Sequence, residues 1–540
     1  MQSSRKYLNA PKKYLDKNEF SYYLSLVKKI ANFDPQTKKW YVSEYKVNQL
    51  TDEQLDEILN ELSKYIEIND LDTTKSINVY GNYVKVFDNV DRYRESLEYH
   101  IRKFNIKTHK FDIITVPLYF DHGNYFVTFR GFLWRLKKNK LLDIDDNFYE
   151  NFNTEPITLD NYEFRDYQYN AVKNWLKAIN LQGTGLIQSP TGSGKSVMAL
   201  MAIKSFLKRY PNAKILYLTL NTTLLKQFQR YLKNEGFNSG IITGEKKEFN
   251  EQITNLSVMT AYYAIEKSKI KIEDNEYFDS AELNTNEKEK VKELLSEVKL
   301  IVFDEAHHVP AESVKSVLKF AKNTIRLGLT ATPFRDDGKE AIIYAYLGDP
   351  VTNYHLMDFV NKGILTPPLV KIVRVITNEN NCDDYNECKN IAYNDENANN
   401  KIAEIIKNAD KPVLVLVKEI SQLNKLHELI PDSVVLTGND DLDEREKAID
   451  DLNTGKIQVL IATNIFDEGI DIPNIHSLVL ASGGKSKVKL LQRIGRSLRK
   501  ANNKDRVIIY DISHKLKYFE RHENIRISVY EDEKIPYEII

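Results

Sequence analysis

The sequence predicts an α/β protein: two tandem parallel-sheet domains behind an α+β N-terminal accessory domain. Three observations carry this. Between about residues 160 and 335 short apolar runs (GTGLIQ, AKILYLT, SVMTAYYAI, VKLIVFDE, TIRLGLTA) alternate with helix-like stretches. From about 370 to 515 the same alternation returns as PVLVLV, SVVLTG, IQVLIAT, SLVLAS and DRVIIYDI. Residues before about 155 are Tyr-rich and follow neither rhythm. Continuous apolar strands separated by helical crossovers are the mark of parallel sheets covered on both faces.

The first segment, residues 1–155, mixes one helical pattern (LTDEQLDEILNELSKYIEI) with strand-like NYVKVF, FDIITVPLYF and NYFVTF. FDPQTKKWYVSEY reads as a hairpin, an Asp-Pro turn followed by an aromatic strand. Trp40, Tyr41, Phe126, Phe129 and Trp134 are interleaved with Arg130, Arg135, Lys137 and Lys138. Such residues can stack on bases and hold phosphates. More commonly they form a domain's core and rim.

The first parallel domain is placed at 156–345. Its strand GLIQ runs into SPTGSGKS and then a helical run, SVMALMAIKSFLKRY. Strand, glycine loop and helix in that order make a phosphate cradle, because backbone N–H groups at a helix N-terminus face the anion. Ser189 stands where the strict pattern has Gly, a position that needs room more than a positive φ. Pro190, Thr191, Gly192, Ser193 and Gly194 form the loop; Lys195 reaches the β- and γ-phosphates and the Ser196 hydroxyl ligates Mg²⁺. Further on, LIVFDEAHH ends a strand in two carboxylates. Asp304 would hold Mg²⁺ and Glu305 would polarise the attacking water. Adjacent His307 and His308 cannot readily share one ion, so a coupling role is expected of them. Upstream, FRDYQ supplies Arg165 and Gln168, whose amide offers a donor and an acceptor suited to an adenine edge.

A joint is expected at 346–375, where Gly348-Asp349-Pro350 and Pro367-Pro368 break regular structure. The second parallel domain is placed at 376–520, with a tail at 521–540. It contains ATNIFDEGIDIP and LLQRIGRSLRK. Arg496 and Arg499 are three apart and would share one side of a helix. Guanidinium groups presented across a cleft stabilise charge developing on a γ-phosphate. A basic surface helix is the plainer reading of the same segment.

QSPTGSGKS, DEAHH, LTATP, ATNIFDEGIDIP and QRIGRSLR, in this order, resemble motifs I, II, III, V and VI of superfamily 2 helicases. TLNTTLLKQF resembles motif Ia, and VMTAYYA the strand that follows it. Within the superfamily, LGLTATPFRDDGK, GILTPP and NIHSLVLASGGKSKVKLLQRIGRSLR resemble XPB-type and phage UvsW-type DNA helicases. Arg335-Asp336-Asp337 stands where the XPB type carries Arg-Glu-Asp. The resemblance implies two RecA-like domains with ATP and Mg²⁺ between them. Gln492, Arg496 and Arg499 would then face Lys195, Asp304 and Glu305. Asp467, Glu468, Gly469 and Asp471 would line the cleft, and Thr330 and Thr332 would couple nucleotide state to nucleic acid. Asn221, Thr260, Thr437 and Thr463 would touch backbone phosphates. The partner implied is DNA, single-stranded, forked or branched, with movement from 3′ to 5′. An RNA-directed motor and a passive scaffold with an inactive nucleotide site are the rival readings.

Bulk charge names no partner: 540 residues carry a net charge of −1. The stretch KSKVKLLQRIGRSLRKANNKDR is locally basic. No apolar run approaches the roughly 18 residues a membrane span needs, and the first residues lack a signal peptide's apolar core. Cys382 and Cys388 have no His pair nearby and are expected as reduced thiols of a cytoplasmic or nucleoid-associated protein.

Overall fold

A computed structural model describes residues 11, 16–34, 39–42, 52–65, 77–88, 90–105, 110–122, 125–142, 144–250, 252–266, 283–332, 338–378, 381–438, 440–463, 474–501 and 504–540. The chain divides into two compact units, residues 1–78 with 85–88, and residues 79–84 with 89–540.

In the small unit the helix Lys17–Ile30 starts at a capping box. Asp16 Oδ1 accepts from Asn18 N and Glu19 N, and Glu19 Oε2 accepts from Asp16 N. The expected hairpin is present: Ala31–Asp34 pairs antiparallel with Lys39–Val42. Tyr23, Leu26, Val27 and Ile30 pack with Ile58 and Leu62 of the helix Asp52–Ser63, and Trp40 lies against them.

The large unit holds two sheets that position everything discussed below. One has eight strands in the order Lys247–Glu248, Gly240–Ile242, Ile253–Ser257, Ile215–Thr219, Leu300–Phe303, Ile325–Thr330, Thr184–Gln188 and Pro350–Asn353. All its pairings are parallel except that of the edge strand Lys247–Glu248. The other has seven strands, Val434–Leu436, Val459–Ala462, Val413–Leu416, Ser477–Leu480, Val507–His514, Pro368–Val375 and Tyr537–Ile539, all parallel. Central strands such as Ile215–Thr219 and Val413–Leu416 are buried at every residue, as a sheet covered on both faces requires.

Several expectations change at this level. SVMTAYYAI is not a strand: the strand is Ile253–Ser257 just before it, and Val258–Ile265 is a helix. An unbroken apolar run carries no period that separates the two, and Thr254 and Asn255 disguised the true strand. The joint at 346–375 is shorter than expected. Pro350–Asn353 closes the first sheet and Pro368–Val375 enters the second, because proline is tolerated at the first position of a strand. The tail at 521–540 is integral, with helix Lys517–Asp532 leading to the edge strand Tyr537–Ile539.

Residues 90–155 are built onto the first sheet. Arg135 grips Asp349 with both prongs, Nε to Oδ2 at 2.9 Å. Trp134 N donates to Gln182 Oε1 at 2.8 Å. Phe126, Phe132 and Arg130 are buried, while Phe129, Trp134 and Arg135 are half-buried and Lys138 is exposed, the pattern of a core with its rim. Arg130 donates to Tyr149 Oη and to the carbonyl of Thr324. Arg326 beside it is also buried and donates to Asn82 Oδ1 at 2.6 Å and Leu318 O at 2.7 Å. Burial, then the charge of Arg130, pushes Arg326 down to about 9.

Cys382 and Cys388 are joined as a disulfide, with Cα atoms 5.1 Å apart. The chain turns between them into the helix Tyr385–Asn394, which brings the two positions within bridging reach. Among the described residues no helix is long and apolar enough to cross a membrane.

Candidate active site

The buried strand Thr184–Gln188 delivers the loop 189–194 to the N-terminus of the helix Lys195–Arg209. Gly192 and Gly194 have φ of +86° and +82°, which side chains rarely adopt. A Cβ on Gly194 would stand 2.3 Å from Gln168 Nε2. Ser189 needs no such freedom, since its φ is not positive. The loop is tied from two sides: Ser189 N donates to Thr330 O at 2.9 Å, and the Ser193 carbonyl accepts from Tyr167 Oη at 2.6 Å and Gln168 Nε2 at 2.8 Å. Gln168 Oε1 accepts from Arg165 N at 2.8 Å. Gln168, expected at an adenine edge, thus braces the loop from its buried place in the helix Asp166–Gln182, while Arg165 is exposed at that helix's start.

Leu300–Phe303 ends at Asp304 and Glu305, both buried. Tyr217 Oη donates to Asp304 Oδ2 at 2.6 Å, and Glu305 N donates to Asp304 Oδ1 at 2.9 Å. Burial, then the charge of Glu305, pushes the Asp304 carboxyl up to about 6, against the pull of Lys195 and Tyr217. Burial pushes Glu305 the same way, but the His307 hydrogen bond and the charges of Lys195, His307 and Arg496 outweigh it and hold Glu305 below its ordinary range. His307 Nδ1 lies 3.4 Å from Glu305 Oε2. Glu305 has φ of +52°. A left-handed non-glycine residue costs roughly 1–2 kcal/mol. It is the turn by which the chain leaves the strand between its two carboxylates.

The second sheet presents the helix Lys487–Ser497 to this cluster. Gln492 is buried and its Nε2 donates to Glu305 Oε2 at 3.2 Å. The backbones are close as well: a Cβ on Gly495 would stand 3.0 Å from Thr191 Cβ. Arg496 lies near enough for its charge to lower Glu305. Arg499 does not share the helix, which ends at Ser497 with Leu498 as cap. It reaches the loop from the following turn, so that a Cβ on Gly192 would be 3.5 Å from Arg499 Cγ.

Other expected residues fall less neatly. Thr330 Oγ1 donates to Thr332 O at 2.7 Å, placing both beneath the loop bond of Ser189. Asn221 is the N-cap of the helix Thr222–Asn234, its Oδ1 accepting from Thr223 N and Leu224 N. Thr260 is fully buried inside the helix Val258–Ile265. A phosphate cannot reach it here, because that segment is a covered helix and not a strand end. The Thr437 hydroxyl donates to Asp440 Oδ2 at 3.1 Å. Thr463 follows the strand Val459–Ala462 and its N–H donates to Leu436 O at 3.1 Å. Arg335, Asp336, Asp337, Asp467, Glu468, Gly469 and Asp471 lie outside the described residues.

The site fits a triphosphate with a hard cation. Among the described residues the hydroxyls of Ser189, Ser193 and Thr332 are buried without a hydrogen-bond partner, as groups awaiting acceptors are. Lys195 Nζ donates to Ser189 O at a long 3.4 Å. Ser196 and Asp304 offer a hydroxyl and a carboxylate, the oxygen donors Mg²⁺ takes. Sequence reasoning missed Tyr167 and Tyr217, which brace the loop and the Asp304 carboxylate. Their only signals were adjacency to Gln168 and a phenol amid the aliphatic strand ILYLT.

Residues 161–335 match the family described as "Type III restriction enzyme, res subunit", and residues 397–501 match "Helicase conserved C-terminal domain". A protein named "Putative helicase 22", from Sulfolobus islandicus filamentous virus, is 36% identical over 94% of this chain and 93% of its own length. "DNA 3'-5' translocase XPB2" of Sulfurisphaera tokodaii is 28% identical over 67% of this chain and 84% of its length. Among solved structures, a fragment of "a putative HsdR subunit of a type I restriction enzyme" from Vibrio vulnificus YJ016 superposes with a TM-score of 0.52 at 18% identity, covering 83% of this chain and 81% of that one.

Proposed function

The chain belongs to the helicases, and we propose that it is an ATP-driven DNA translocase of XPB type that moves 3′ to 5′ and remodels branched or damaged duplexes. The observation that carries the reading is the meeting of Gln492, from the second sheet, with Glu305, from the first, at 3.2 Å. Residues of two sheets converge on one carboxylate beside a phosphate loop, so hydrolysis at that point acts on how the sheets sit together.

The roles follow from position. Backbone N–H groups of the loop and Lys195 hold the β- and γ-phosphates of ATP. Ser196 and Asp304 would hold Mg²⁺, which would neutralise charge on the transferring phosphate. Glu305, kept ionised by its neighbours, orients the attacking water and draws on its proton. Gln492 fixes Glu305 Oε2. Arg496 and Arg499 meet the charge that develops on the γ-phosphate, a contribution of about 10³–10⁵ in rate where it has been measured in related chemistry. They act only while the sheets are together, so ATP favours closure and its loss favours opening. Alternate gripping by the two halves then moves the protein along a strand. DNA as the track is supported by the name of the XPB2 relative.

Glu305→Gln tests the reading. It should retain ATP and DNA binding and lose turnover by about two to three orders of magnitude. Undiminished hydrolysis would remove Glu305 from the chemistry. ATPase stimulation by single-stranded, forked and four-way DNA and by RNA separates the DNA motor from an RNA motor.

A further inference from the structure

We propose that Tyr217 is a positioning residue for the metal-binding carboxylate: its hydroxyl, held by a ring stack on Phe228, fixes Asp304 in the orientation that receives Mg²⁺. The inference rests on the Mg²⁺–ATP reading of the site and adds to it a residue outside the helicase motifs.

Strand pairing places the group. Tyr217 is in register with Val302 across the parallel pair Ile215–Thr219 and Leu300–Phe303, two residues short of Asp304. Its ring lies face to face with Phe228, centroids 3.8 Å apart and planes 12° from parallel. Both rings are buried. The ring therefore has one place to be, and its oxygen arrives 2.6 Å from Asp304 Oδ2. That is the length of a hydrogen bond to an ionised acceptor.

Packing alone does not account for a phenol here. Phenylalanine would fill the same space, and a buried hydroxyl costs roughly 1–3 kcal/mol unless it is hydrogen-bonded. The hydroxyl's use is the carboxylate. Asp304 Oδ1 is meanwhile held by Glu305 N at 2.9 Å. With one donor on each oxygen the carboxylate cannot rotate about its last bond. Each oxygen keeps a further lone pair for a metal or its water. Partners of this kind, which orient a metal ligand without touching the metal, typically change affinity by about 10–100-fold when removed. Phe228 comes from the helix Thr222–Asn234 that Asn221 caps, so the brace is anchored on an element separate from the strand it serves.

The test is Tyr217→Phe in the full chain, read by electron paramagnetic resonance titration of Mn²⁺ with a non-hydrolysable ATP analogue. Mn²⁺ affinity should fall about tenfold, while analogue binding without metal stays unchanged. In turnover assays the Mg²⁺ concentration for half-maximal rate should rise, with KM for ATP little altered at saturating Mg²⁺. Phe228→Leu keeps the hydroxyl but releases the ring, and should give a smaller loss than Tyr217→Phe. It reads the same quantity should Tyr217→Phe fold poorly. Mn²⁺ affinity unchanged in the folded variants, beside normal binding by the wild type, overturns the role of Tyr217. Absence of nucleotide-dependent Mn²⁺ binding by the wild type would instead overturn the site reading itself.

Discussion

Asp304→Asn should make the protein more stable at neutral pH while abolishing its turnover. Asp304 is buried, and its carboxyl is raised from an ordinary 3.8 to about 6. Both burial and the neighbouring Glu305 charge disfavour its ionised form. The folded state holds the proton more tightly than the unfolded chain, so the ionised group opposes folding. That opposition is complete above about pH 6 and vanishes below about pH 3.8, where both states are protonated. Asparagine has the same shape and no charge to bury. Its oxygen accepts from Glu305 N, and its amide donates to Tyr217 Oη in place of the present bond. Lys195 loses a neighbouring anion, which takes back part of the gain. The net expectation is about 1–3 kcal/mol in favour of the variant at pH 8. The assay is denaturant unfolding of both proteins at pH 8, 6 and 4.5 without nucleotide or metal. The gap should narrow steadily as pH falls. A less stable variant at pH 8, or a gap that does not change with pH, refutes the reasoning.

Arg499→Ala should lower the hydrolysis rate by at least about a hundredfold with nucleotide affinity within a few-fold, as measured by steady-state turnover and equilibrium binding; lost binding with normal turnover would contradict the role. Arg326→Met should destabilise the first sheet by about 3 kcal/mol, because Asn82 Oδ1 and the Leu318 carbonyl lose their donor. Thermal unfolding should show the loss while the turnover of the folded fraction is unchanged.

Much of the fold was legible because buried parallel strands write themselves as apolar runs. ILYLT, LIVF, IRLGLT, VLVL, VLIA and SLVL all became strands. The pattern failed where burial and polarity disagreed. Thr254 and Asn255 are buried in a strand that their polarity concealed, with Asn255 Nδ2 donating to Gly240 O at 2.9 Å. In sequence, Arg130 and Arg135 read either as phosphate-holding or, more commonly, as core and rim; one is buried and the other pairs with Asp349. These pairings span long separations in sequence, and no local pattern announces them. The placement of the loop between strand and helix, and of the carboxylates at a strand end, was legible because a strand–glycine loop–helix run and an apolar run ending in Asp-Glu are local patterns. Bracing residues such as Tyr167, Tyr217 and Gln168 act through the fold instead, so only the coordinates show what they hold. The disulfide was misjudged for the same reason: proximity of 5.1 Å between Cα atoms is a property of the turn before the helix Tyr385–Asn394.

Residues of two sheets meet at Glu305, and a structure of the full chain with Mg²⁺ and a non-hydrolysable ATP analogue shows most directly whether nucleotide sits there. The phosphates should lie against residues 190–196, with the metal on Ser196 and Asp304 and the Arg496 and Arg499 guanidiniums at the γ-phosphate. A nucleotide bound elsewhere, or one seated in the loop with both arginines turned away from it, would contradict the account.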